Sequence, residues 1–181
     1  MYKSSKVYFI SGTSGVGKTS TMDYLKELLP PDKFDIRDFD ERGVPNGGGK
    51  VWHSKETLHW LDVSAENAAQ GKSTIICGFN EPARVRAVLN DTHPPVEIIL
   101  LHASGDVLKN RLLGRHSTPE SIDEIQRASG VSLDEFIKNC VSYSPQLRSL
   151  FEKEGCLVID TDTKTPKEVA EMIVENLTNR T

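Results

Sequence analysis

Residues 6–29, KVYFISGTSGVGKTSTMDYLKELL, pass from an apolar strand through a glycine-rich turn straight into an amphipathic helix, and no other stretch restricts the fold so tightly. Gly12, Gly17, Lys18 and Thr19 satisfy G-x-x-x-x-G-K-[ST], the spacing of a phosphate-binding loop. Glycines let the backbone wrap an anion, and successive N–H groups at the helix start converge on it. The expected cradle is Gly12, Thr13, Ser14, Gly15, Val16, Gly17, Lys18, Thr19 and Ser20. Within it Lys18 reaches the β- and γ-phosphates of ATP, and the Thr19 hydroxyl ligates Mg²⁺. The setting agrees with the pattern: Val7 to Ile10 suit a buried parallel strand, and Met22, Leu25, Leu28 and Leu29 supply one helix face. A purely structural turn does not call for Lys and Thr directly after Gly17, so nucleotide binding is the first expectation.

The rest of the chain alternates strand and helix signals. Pro30 and Pro31 stop the first helix, and a short strand follows whose exit carries Asp38 and Asp40. GVPNGGGK, 43–50, reads as a mobile loop. Leu58, Leu61, Val63, Ala65 and Ala68 predict a helix over 55–70, with Ser54 as its N-cap and Gly71 ending it. STIICGF is the next strand, followed by polar Asn80, Glu81 and Arg84 and a short helix over 83–89. VEIILLHA is the fourth strand, and a helix over 106–113 runs into the loop GRHSTPES. Helices are predicted over 121–128 and 133–151, with Pro145 bending or splitting the second. CLVID, the turn TDTKTP and a helix opened by Pro166 close the chain. This order implies an α/β fold whose parallel sheet is covered on both faces, with ligands at the carboxyl ends of the strands.

A chain of 181 residues suits one domain, 1–181. The net charge of -4 offers no general attraction to nucleic acid or to an anionic membrane, so the expected partner is a small-molecule acceptor, with no nucleic acid and no membrane. A monomer or homodimer is expected. Cys77, Cys140 and Cys156 are too scattered for zinc or redox work and read as buried reduced thiols. The N-terminal apolar run is too short for a signal peptide, and a cytoplasmic location is expected.

Phosphoryl transfer needs a metal, a group for the acceptor hydroxyl and positive charge on the moving phosphoryl group. Asp38 and Asp40, two apart on an extended segment, point the same way: Asp38 toward the metal and Asp40 toward the acceptor. Arg111 and Arg115 share a helix face before the loop and could neutralise the γ-phosphate, with Arg127 a third candidate. Glu81 is a rival metal-side acid, although no acid follows the third strand directly. Arg84 is a candidate for an anionic acceptor, alongside Arg42 and Arg86. His53, Trp52 and Trp60 could line the acceptor pocket, and TDTKTP could cover the base beside Asp162 and Lys164. No N-K-x-D supports guanine selectivity.

Taken together, G-x-x-x-x-G-K-T, the Asp-x-Asp, R-L-L-G-R before a short loop and the D-T-x-x-x-T-P turn resemble the small P-loop kinases: nucleoside monophosphate, shikimate and gluconate kinases. The resemblance implies a three-layer α/β/α fold with a five-stranded parallel sheet in the order 2-3-1-4-5, ATP with Mg²⁺, and a lid over about 114–130. It assigns Asp38 the metal side, Asp40 the acceptor side and Arg111 and Arg115 the lid. GFNEP replaces the glycine-rich turn of shikimate kinases, and DFDERGVPNGGGK lacks the acceptor residues of gluconate kinases, so the acceptor stays open. A nucleoside or nucleoside monophosphate kinase, or an ATP-binding regulatory module with negligible turnover, are the alternatives.

Overall fold

The computed structural model describes residues 5–45 and 49–179; Asn46, Gly47 and Gly48, the centre of the expected 43–50 loop, lie outside them. Five apolar runs form the strands β1 (Val7–Ser11), β2 (Phe34–Asp38), β3 (Ser73–Cys77), β4 (Val96–His102) and β5 (Leu157–Asp160). They make one sheet in the order β2-β3-β1-β4-β5, and each neighbouring pair is parallel. That is the expected order.

Successive side chains of a strand point to opposite faces, so a strand buried throughout must be covered on both. In β1 all five residues are buried, and they divide in this way. Tyr8 and Ile10 join one cluster with Met22 and Leu25 of α1 (Lys18–Leu28), Leu108 of α4 (Gly105–Arg115) and Ile173 and Leu177 of α7 (Pro166–Asn179). Val7 and Phe9 join another with Trp60 and Leu61 of α2 (Gly49–Ala69) and Val85 of α3 (Pro82–Val88). On β4, Leu100 packs with Leu147 and Phe151 of α6 (Leu133–Lys153). Burying one such Leu or Phe contributes about 1.5–3 kcal/mol. The two clustered faces therefore hold the strand ends, and with them the site, in fixed register.

Three expectations need correction. Helix α2 begins at Gly49, so Ser54 lies inside it and caps nothing. Pro145 does not split α6, which runs unbroken from Leu133 to Lys153. Helix α4 extends to Arg115, and α5 (Pro119–Ser129) begins three residues after His116. Helix α5 has Thr118 capping it through a reciprocal bond pair with Ser121, Pro119 in its first turn and Gly130 in the left-handed region behind it. None of its residues is fully buried.

Candidate active site

At the carboxyl ends of β1, β2, β3 and β5 a cavity of about 820 Å³ opens, and it gathers most of the predicted residues. Thr13 to Ser20, Asp38, Asp40, Arg111 and Arg115 all line it, together with Thr161 and Lys164 of the turn after β5. Gly12 stands just beneath, as the residue that lets the loop leave β1. Its φ of 150° and the space around it exclude a side chain, since a Cβ would lie 2.5 Å from the Leu101 carbonyl oxygen and 2.7 Å from Val16 Cγ2.

The loop closes on its own lysine. Lys18 Nζ donates to the carbonyls of Gly12 (2.7 Å) and Thr13 (2.9 Å). Burial lowers its pKa to about 8, against the opposing charge of Asp40. An ammonium held partly out of water gains most from a dense negative charge brought to it. The Thr13 hydroxyl is buried without a hydrogen-bond partner among the described residues. A buried polar atom left without a partner in a cradle of amides is what a site shaped for a polar ligand presents.

The two aspartates are not both on extended backbone. Strand β2 ends at Asp38, and Asp40 lies in the turn beyond it, where its N–H donates to Asp38 Oδ1 (2.9 Å). They reach the same cavity because the turn folds them there. Phe39, between them, points the other way and is buried: its N–H donates to the Cys77 carbonyl and its own carbonyl accepts from Trp60 Nε1 at 3.1 Å. Gly78 makes room for the turn, for a Cβ there would come 2.2 Å from Phe39 Cβ. Asp40's carboxyl is held above its ordinary pKa, first by burial and then by the charge of Asp38.

Arg111 and Arg115 do share a face of α4, but their surroundings differ. Arg111 Nη2 donates to the Thr161 carbonyl (2.7 Å) and Nη1 to Thr161 Oγ1 (3.0 Å) and to the carbonyls of Gly15 and Val16 (both 3.4 Å). It ties the phosphate loop to the turn after β5 while lining the cavity. Arg115 is exposed at the cavity edge.

Several other candidates lie elsewhere. Arg84 pairs with Glu81 (2.9 Å) outside the cavity lining, and Glu81 also accepts from the Tyr143 hydroxyl. Glu81 is thereby occupied, whereas Asp38 faces the cavity. Arg42 pairs with Glu56 (3.4 Å), Arg86 with Glu154 (2.8 Å), and Arg127 donates within its own helix to the Asp123 carbonyl. Trp60 is core, Trp52 packs edge-on against Phe39, and His53 stacks on Phe39 behind the cavity wall. Asp162 accepts from the Ser104 N–H at 2.8 Å and so fastens the start of α4. Sequence reading missed Phe136, Asn139, Cys140 and Tyr143, all on one side of α6 and all lining the cavity. Their spacing of three, four and seven residues was the available signal.

Among the described residues, no three His, Cys, Asp or Glu side chains cluster as a metal site, and no helix is long and apolar enough to cross a membrane. The oxygen set is nonetheless right for Mg²⁺, which takes one or two protein oxygens and completes its shell with phosphate and water. Thr19 and Asp38, each with a side-chain oxygen, both line the cavity.

No protein-family model matches the chain. In sequence it is similar to a protein of Pyrococcus furiosus named "Putative adenylate kinase", 29% identical over 171 residues, which are 94% of this chain and 82% of that one. In structure it is similar to the shikimate kinase of Acinetobacter baumannii, with a TM-score of 0.61 at 16% identity over 99% of this chain and 96% of that one. A gluconokinase of Sinorhizobium meliloti 1021 superimposes with a TM-score of 0.56 at 17% identity, covering 98% and 93%. Identities this low speak for the fold alone. The chain carries the fold and the phosphate-binding loop of the small P-loop kinases.

Proposed function

We propose that the chain is an ATP-dependent phosphotransferase that moves the γ-phosphoryl group to a hydroxyl or phosphate of a small metabolite. The observation that carries this reading is one cavity lined by the phosphate loop with Lys18, by Asp38 and Asp40, and by Arg111 and Arg115. Loop amides and Lys18 hold the polyphosphate, and the Thr161 to Pro166 turn lies where it can cover the base. Thr19 and Asp38 would hold Mg²⁺, which neutralises charge on the β- and γ-oxygens. Asp40 accepts the proton of the acceptor, and its raised pKa makes it a stronger base than an ordinary carboxylate.

Arg115 adds positive charge at the open edge, while Arg111 keeps loop and turn at a fixed spacing. The segment 114–130 serves as the lid, which suits an α5 with no fully buried residue. Such a protein works where ATP is, in the cytoplasm. The names of the Pyrococcus relatives support a second reading, a nucleoside monophosphate as acceptor.

Steady-state ADP release with MgATP and a panel of sugar acids, nucleosides and nucleoside monophosphates tests the proposal. At least one acceptor is expected to raise the rate above the acceptor-free level, and Asp40→Asn to lower kcat by about 10²-fold or more. The sign of the pH dependence follows from the raised pKa. Asp40 must be ionised to take a proton, so wild-type kcat/KM for the acceptor, which reports the free enzyme, falls as pH drops through a value above the ordinary carboxylate range. That limb disappears in the Asn variant. An acceptor-independent rate throughout, unchanged by Asp40→Asn, would leave only an ATP-binding regulatory module.

A further inference from the structure

Rings and carboxylates make up the side of the cavity where the acceptor must sit. Phe79, just after β3, and Tyr143 of α6 line the cavity together with Asp38 and Asp40 at and beyond the end of β2, whereas Phe136 meets His116 edge-on at 6.4 Å at the end of α4. The wall continues behind Phe79: His53 meets it edge to face at 5.9 Å and stacks on Phe39 at 4.9 Å, and Tyr143 is tilted against it at 6.2 Å. His53 Nδ1 is buried in this wall without a hydrogen-bond partner among the described residues.

The charges on this side lean negative. Arg84 lies over the Phe79 ring at 5.7 Å, but its charge is met by Glu81. Arg42 is met by Glu56. The cations that do line the cavity are Lys18, Arg111, Arg115 and Lys164, which belong to the loop, α4 and the β5 turn, the side of the nucleotide. A carboxylate or phosphate on the acceptor would therefore face the Asp40 carboxylate, whose neighbouring cation Lys18 is the one the polyphosphate takes, with no unmatched guanidinium on the β2 and β3 side among the described residues. Like charges at such range disfavour the wrong partner strongly. A planar ring, by contrast, finds the Phe79 and Tyr143 rings to stack against.

Resting on the phosphotransfer reading, we infer that the acceptor is a hydroxyl compound that carries a planar ring and no negative charge, stacked against Phe79 and Tyr143 with its hydroxyl at Asp40. Its oxygen forms the new O–P bond and its proton passes to the Asp40 carboxylate. The bond from the γ-phosphorus to the bridging oxygen breaks, and ADP leaves.

Neutral nucleosides serve as probes, set against the corresponding nucleoside monophosphates and against gluconate and shikimate, with the full chain, MgATP and an ADP-release readout. Nucleosides are expected to raise the rate, and the anionic compounds to leave it at the acceptor-free level. Phe79→Leu should raise the nucleoside KM about ten-fold or more, as loss of a stacking surface does. In the same variant the KM for MgATP stays unchanged and Phe79→Tyr restores nucleoside binding, whereas a general loosening of the fold would move both substrates. Turnover confined to the anionic acceptors overturns this assignment and leaves phosphotransfer standing. No turnover with either class overturns both, and MgATP protection against thermal unfolding then shows whether nucleotide binding survives.

Discussion

Lys18→Ala is expected to lower kcat by about 10³-fold or more while the chain keeps its fold. The ammonium makes no ion pair among the described residues; its partners are two carbonyls of its own loop, at 2.7 and 2.9 Å. Its pKa is lowered to about 8, so folding weakens its hold on the proton. The unfolded chain binds that proton more tightly, and the fold is penalised at neutral pH, a penalty relieved as pH rises through about 8 toward the unfolded value. Removing the group therefore does not lower the melting temperature, and the loss falls on the transferring phosphoryl group. Kinetics and a melting curve on the same preparation separate the two effects. A variant within ten-fold of wild type in kcat contradicts the role given to Lys18.

Gly12→Ala should do the reverse, breaking the site through its frame. The new Cβ would lie 2.5 Å from a backbone oxygen of β4 and 2.7 Å from the buried Val16, on a backbone at φ 150° that side chains rarely adopt. Neither neighbour is the free end of a flexible chain, so the loop must lift. Steric overlap and backbone strain together cost about 3 kcal/mol or more. In a domain of this size that lowers Tm by about 6 °C or more. Nucleotide affinity falls with it, because lifting the loop misaligns the amides. Chemical denaturation beside a nucleotide titration measures both, and an undisturbed Tm would refute the close packing of Gly12 against β4.

The parts of the molecule legible in the sequence are those where local chemistry is unambiguous. Runs such as VYFI and IIC are apolar without alternation and bounded by turn residues, which suits a strand covered on both faces, and the glycine spacing marks the loop. The start of α2 was hidden because its first turns are fixed by tertiary contact. Trp52 and His53 dock on Phe39, and the buried Glu56 and Thr57 are polar, matched by Arg42 and by Asn80 Nδ2 at 3.0 Å. No apolar period records such partners.

Arginines were the hardest to place. Arg111 and Arg115 sit four apart on one helix with the same chemistry, yet one is fastened to Thr161 and the loop carbonyls and the other is exposed. Arg84 carries the charge an anionic acceptor would need and spends it on Glu81. What a guanidinium binds depends on which acceptors the fold brings within reach, and spacing along the chain does not contain that information. The α6 wall was missed for a related reason: Phe136, Asn139, Cys140 and Tyr143 mix aromatic, polar and thiol side chains, so their shared face did not stand out as an apolar stripe.

Titration calorimetry of MgATP into the intact folded chain bears most directly on the phosphate loop as a nucleotide cradle. Saturable heat, one nucleotide per chain, displaced by ADP and lost in Gly12→Ala, is the predicted result. Folded protein that gives no heat with MgATP, and no shift in melting temperature at saturating nucleotide, would contradict it.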